Sequence, residues 1–280
     1  MKNMLIGINT PSINGKDMFE QIDWIKNAKF EAIEIECTPS PKFSHGLWTR
    51  YADDQTIAKM KAAVAGFKEL SFHAPYSFFD VSIISPNPFV RKVSIDEICF
   101  VMDFAGKMGG KMITVHSGIP TYGMTEEENF EILRESLKIL SDEAKKRDVL
   151  IGVEVVDFFY CPSRFSVVEE LNLENVGITI DIGHLCFPQP NLNNQPGYTE
   201  FGSIEGVFKR FAERIWHVHI HDFNIKDHQA LGDGHLDFKS IIKTLKEIKY
   251  ERTLTLELTT KVPEEKILSS KKYLEELIAF

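Results

Sequence analysis

Residues 150–184 read LIGVEVVDFFYCPSRFSVVEELNLENVGITIDIGH, and the fold turns on how this stretch is read. Two short apolar runs, LIGVEVV (150–156) and VGITID (176–181), flank an amphipathic segment over 163–172. The runs are rich in Ile and Val and too short for a typical helix. They read as buried parallel strands joined by a crossover helix. Each carries a carboxylate at or near its C-terminal end, Glu154 in the first and Asp181 in the second.

The same beat continues in both directions. Strand-like runs recur at 4–9, 32–37, 70–74, 112–117, 215–220 and 254–258, and helical patterns fill 16–28, 53–68, 88–108, 126–147, 200–213, 237–248 and 263–278. In the helix over 126–147, Phe130, Leu133, Leu137 and Leu140 recur at three- and four-residue spacing, and Thr125 with Glu128 forms a capping-box signature. Eight strands and eight helices in strict alternation, over 280 residues, match an α/β fold of the (β/α)₈ barrel type, whose usual size is ~250 residues. An open doubly wound sheet would want a Gly-rich phosphate loop after its first strand, and GINTPSINGKD has no such pattern. No linker or composition shift divides the chain, so residues 1–280 are expected to form a single domain. The Pro/Asn/Gly-rich piece CFPQPNLNNQPGYTE (186–200) falls after strand 6, where such barrels carry active-site loops.

Charge narrows the function classes. With 32 basic against 41 acidic residues, the net charge of −9 gives no general affinity for phosphate backbones or anionic membranes. No apolar run approaches the ~20 residues of a membrane span, and no signal-like apolar region follows Met1. Cys37, Cys99, Cys161 and Cys186 are widely spread and lack a C-x-x-C pair, which predicts reduced thiols in a cytoplasmic protein.

Barrel strands should be apolar throughout, yet here six consecutive ones carry a titratable group at or near the C-terminal end. These are His73, His116, Glu154, Asp181, His219 and Glu257 on strands 3 to 8. The C-terminal strand ends of this fold converge on one mouth, where its chemistry is built. Several carboxylates in one cavity are costly to bury, and a divalent cation is the usual means of holding them together. Carboxylate oxygen mixed with imidazole nitrogen, without cysteine, suits Zn, Mn, Co or Fe better than Ca or Mg.

On the segments GVEVV, TIDIGH, HVHIHDF, HQALGDGHLDF and LTLEL, the chain resembles the xylose isomerase-like TIM-barrel superfamily over essentially its whole length. That group includes sugar isomerases and epimerases and the endonuclease IV type of apurinic-site nuclease. The sugar branch implies one divalent metal held by Glu154, Asp181, His219 and Glu257. His219 takes the role, rather than His217 or His221, because the family's metal histidine stands three residues before an Asp, here Asp222. By the same resemblance, Glu154 and Glu257 are the catalytic proton-transfer pair and His184 contacts a small-molecule sugar substrate. Many relatives are homo-oligomers, so dimers or tetramers are a further expectation.

The nuclease branch implies up to three Zn ions and a nucleic-acid substrate. Its additional ligands fall on His73, His116, His184 and His228. Lys226 stands where that branch has the Asp of an Asp-x-His pair, with Asp227 one position late, and an ammonium there would repel a cation. On strand 2, KFEAIEIE resembles the sugar branch and makes Glu34 a substrate-binding expectation. The following CTPSPKFSHGLWTR offers Lys42, Phe43, His45, Trp48 and Arg50. Trp48 is expected to wall the sugar pocket, with His116 as a further substrate contact.

Overall fold

A computed structural model describes residues 4–40, 42, 46–156 and 162–279. Phe43, His45 and Cys161 lie outside the described residues. Eight strands form the barrel: β1 Leu5–Asn9, β2 Ala32–Thr38, β3 Glu69–His73, β4 Met112–His116, β5 Leu150–Glu154, β6 Val176–Asp181, β7 Ile215–Ile220 and β8 Thr253–Leu256. Each is parallel to its neighbours, and β8 pairs back onto β1 while β1 pairs with β2, which closes the sheet. The helices α1 Met18–Asn27, α2 Asp54–Val64, α3 Pro88–Met108, α4 Glu126–Lys145, α5 Ser166–Leu171, α6 Ile204–Arg210, α7 Phe238–Glu247 and α8 Glu264–Ala279 follow the strands in turn. The alternation read from the sequence is the alternation that folds.

Local chemistry sets the helix ends. At the start of α4, Thr125 Oγ1 accepts the Glu128 N–H at 3.2 Å and the Glu128 carboxylate accepts the Thr125 N–H at 2.7 Å. These bonds satisfy donors that have no partner inside the helix. Helix α3 starts with Pro88 behind an Asn87 cap and stops at Gly109, whose φ of 81° is cheap only without a Cβ.

Along the strands, successive side chains alternate between the helices and the barrel interior. Ile33, Ile35, Val153, Ile178, Ile180 and Val218 are fully buried members of one apolar core that includes Leu137, Phe208 and Leu245 of the helices. The inward positions break the usual rule. Barrel interiors of this kind are filled mainly by Val, Ile and Leu. Here a lower layer holds Glu34, Ser71, Thr114, Thr179, His217 and Thr255, all buried. Two residues further along the same strands stand His73, His116, Asp181, His219 and Glu257. The interior is polar from mid-barrel to mouth.

Candidate metal centre

The four groups Glu154, Asp181, His219 and Glu257 each direct one ligand atom into a common region, all within 4.8 Å of one another. The His219 Nδ1 lies 2.6 Å from Glu257 Oε2 and 3.5 Å from Glu154 Oε1. Neither His219 Nδ1 nor Glu257 Oε2 has an aligned hydrogen bond, although both are buried. Leaving such atoms unpaired is costly, and a shared cation would satisfy both.

Electrostatics point the same way. Burial alone would raise these carboxyls, yet His116 and His219 hold Glu154 well below the usual range. His184 and His221 do the same for Asp181, and His219 lowers the Glu257 carboxyl. Burial would lower His219, but Glu257, Glu34 and Glu154 hold it well above an ordinary imidazole. The cage therefore favours positive charge at its centre, which a proton or a metal can supply. The donor set fits Zn²⁺, Mn²⁺, Co²⁺ or Fe²⁺.

Two further clusters adjoin the first. Glu154 turns its other oxygen, Oε2, to His73 Nε2 and His116 Nε2, each 3.0 Å away. Asp181, His184 and His228 form the second. Three of these histidines are fixed in the same way. His73 Nδ1 contacts the Ala74 carbonyl at 3.0 Å, His184 Nδ1 the Val155 carbonyl at 2.7 Å, and His228 Nδ1 the Glu257 carbonyl at 3.0 Å. A carbonyl only accepts, so each Nδ1 donates there and the orientation of each ring at the cavity is fixed. That is the usual preparation of a metal-ligating imidazole.

His221 holds Asp181 from behind. Its Nε2 lies 2.8 and 3.0 Å from the two Asp181 oxygens, while its Nδ1 accepts the His228 backbone N–H at 2.8 Å. The ring packs over Gly183, where a Cβ would come within 2.0 Å of it. Asp222 explains the Gly-Asp-Gly turn. Its carboxylate accepts the backbone N–H groups of Phe223, Gly232, Gly234 and Leu236 at 2.8 to 3.2 Å. This fastens the hairpin of Asp222–Asn224 and Lys226–Gln229 that carries Asp227 and His228.

Lys226 does not occupy the position expected of it. The hairpin has a register shift, and Ile225 and His228 adopt φ of 58° and 51°. Lys226 is thereby exposed, while Asp227 Oδ2 stands 3.5 Å from His228 Nε2 and 3.8 Å from His184 Nε2. A carboxylate, not an ammonium, faces the cluster.

The mouth opens into a pocket of about 320 Å³ lined by His73, Tyr76, His116, Glu154, His184 and Asp227 among others. This volume lies in the range of small-ligand sites. Glu34 and Trp48, expected to touch substrate, do not line it. Glu34 is fully buried one layer below. Trp48 packs on Tyr51 with ring centroids 4.4 Å apart, and Arg50 is engaged by Glu97 and Phe100. Sequence reasoning missed Tyr76, which stacks on His116 at 4.2 Å, and Asp227 as a mouth residue. The three-residue step from His73 to Tyr76 was the available signal for the former.

The family model described as xylose isomerase-like TIM barrel matches residues 22–277. Among curated relatives, MJ1311 of Methanocaldococcus jannaschii is 28% identical, covering 98% of this chain and 90% of that protein. A probable endonuclease 4 of Persephonella marina is 23% identical over 79% of each chain. An inosose dehydratase of Clostridium perfringens is 26% identical, covering 62% of this chain and 67% of that one. Among solved structures, a D-tagatose 3-epimerase-like protein superposes with a TM-score of 0.78 at 24% identity, covering 99% of this chain and 97% of the other. The IOLI protein with a bound zinc atom gives a TM-score of 0.77 at 18% identity, covering 99% and 98%. No helix among the described residues is long and apolar enough to cross a membrane. This chain belongs to the xylose isomerase-like TIM-barrel family.

Proposed function

We propose that this protein is a divalent-metal-dependent isomerase or epimerase of a small sugar, polyol or related hydroxy-ketone. The observation that carries the reading is the convergence of Glu154, Asp181, His219 and Glu257 within 4.8 Å at the mouth of a small pocket. The names of the structural neighbours, sugar epimerases and a zinc-bearing barrel, support it. Those four residues would hold the metal. When bound, a divalent cation polarises a carbonyl and its neighbouring hydroxyl and so acidifies the C–H between them. Glu154 and Glu257 would remove and return that proton, a role that contributes roughly 10²–10⁴-fold in rate. Transfer on one face isomerises, and transfer on opposite faces epimerises. His184, its Nδ1 tied to Val155, presents Nε2 to the substrate.

The test is solvent deuterium exchange into the carbon beside the carbonyl of a panel of ketoses. Exchange that vanishes in Glu154→Gln supports the reading, and no exchange with any ketose removes it.

One observation favours a second reading, a zinc-dependent apurinic-site endonuclease. The clusters His73/His116/Glu154 and Asp181/His184/His228, with Asp227 beside the latter, offer room for more than one ion. Similarity to a probable endonuclease 4 accords with it. Cleavage of an abasic-site duplex by the wild type, lost in Glu154→Gln, would move the assignment to this reading.

A further inference from the structure

The buried carboxylate of Glu34 has no part in the chemistry above, and its surroundings are specific. One oxygen, Oε1, stands 3.0 Å from His219 Nε2. The other, Oε2, gathers His217 Nε2 at 3.2 Å and the hydroxyls of Ser71 and Thr114 at 3.3 Å each. His217 Nε2 is in turn 3.0 Å from Thr255 Oγ1. Two imidazoles and two hydroxyls surround this one carboxylate, so every polar neighbour is a group that can donate to an anion. A buried anion in a layer that aliphatic side chains could fill is costly and asks for a use beyond packing.

Its position relative to His219 supplies one. A neutral imidazole has a single lone pair, and it can ligate through Nδ1 only if Nε2 keeps the proton. Nδ1 is the nitrogen that faces Glu257 and Glu154. Nε2 faces the closed interior, where Glu34 is the acceptor at hand. The contact is close, at 3.0 Å, though not an aligned hydrogen bond in this structure, and neither atom has another hydrogen-bond partner.

We propose that Glu34 is a positioning residue that holds the proton on His219 Nε2 and so presents Nδ1 to a divalent metal, with His217, Ser71 and Thr114 fixing Glu34 from the other side. The inference rests on the metal reading of the site. It makes the lower polar layer part of the functional site rather than ordinary core.

The test compares wild type with Glu34→Gln, which keeps the size of the side chain and removes its charge. Zn²⁺ affinity is measured by competition with a chelating dye, and fold by circular dichroism. Loss of a ligand's outer carboxylate costs about 10–100-fold in metal affinity. A loss of that size in a folded Glu34→Gln protein supports the proposal. Equal Zn²⁺ affinity in the two proteins overturns it. Failure of the wild type to bind Zn²⁺ would instead remove the metal reading on which it rests. Should Glu34→Gln not fold, histidine ¹⁵N shifts of Zn²⁺-loaded wild type decide the matter. A His219 protonated at Nε2 and metallated at Nδ1 supports the proposal, and the opposite tautomer overturns it.

Discussion

Replacing Asp222 by Asn should unfasten one corner of the mouth while leaving the barrel's strand-end carboxylates in place. Oδ1 accepts the N–H groups of Phe223 and Leu236, and Oδ2 accepts those of Gly232 and Gly234. An amide keeps one acceptor oxygen, so whichever way it turns, two backbone donors face an NH₂ group. The residue is buried, and water has little access to repair the loss. Each hydrogen bond to a charged acceptor is worth roughly 1.5–3 kcal/mol net, so losing two predicts a destabilisation of about 3–6 kcal/mol. That is a large share of the roughly 5–15 kcal/mol of a typical domain. The turn has little room to adjust, because even a Cβ on Gly234 would meet Asp222 Oδ1 at 2.2 Å. Equilibrium urea unfolding followed by tryptophan fluorescence gives the number. A loss below about 1 kcal/mol would refute the assignment of Asp222 as the fastener of the hairpin.

Three other outcomes follow from particular contacts. Gly183→Ala should weaken Zn²⁺ binding by about 10–100-fold in dye competition, because the new methyl displaces the His221 ring that holds Asp181. Unchanged affinity would show that His221 does not position Asp181. Gly177→Ala puts a Cβ within 2.3 Å of the Trp216 ring, and such overpacking should cost about 1–3 kcal/mol in urea unfolding. Burial raises the Glu36 carboxyl from 4.5 to about 8, against the pull of His73. The folded protein therefore keeps a proton that the unfolded chain releases. With chelator present, this contribution to stability should be complete below pH 4.5 and fade as pH rises through about 8. Unfolding titrations across that window should show a shallower slope for Glu36→Gln, and an identical slope would refute the assignment.

Much of this was legible in the sequence for physical reasons. Parallel strands buried on both faces must be short and apolar, so the beat of LIGVEVV and VGITID against helical periods had few other solutions. Once the barrel is fixed, so is its mouth, and a polar residue at a strand end has only one place to point. That logic located His73, His116, Glu154, Asp181, His219 and Glu257 at the convergent end.

Depth and phase were not legible. Glu34 differs from a mouth residue by one step of two positions along β2, and nothing in EAIEIE tells which layer each carboxylate occupies. Lys226 and Asp227 exchange sides because Ile225 and His228 take left-handed backbone angles. A β-branched residue rarely adopts that conformation, so a count along the chain gave the wrong phase. Trp48 packs on Tyr51, and its neighbour Arg50 is held by Glu97 and Phe100, tertiary partners on α3 that a reading along the chain does not reveal.

The proposed function requires a single divalent ion held among Glu154, Asp181, His219 and Glu257. Elemental analysis of protein purified without chelator and dialysed against metal-free buffer tests it directly, with an Asp181→Asn, Glu257→Gln double variant beside it. About one tightly held ion per chain is expected in the wild type and none in the variant. No stoichiometric metal in the wild type, or close to three ions per chain, would contradict it.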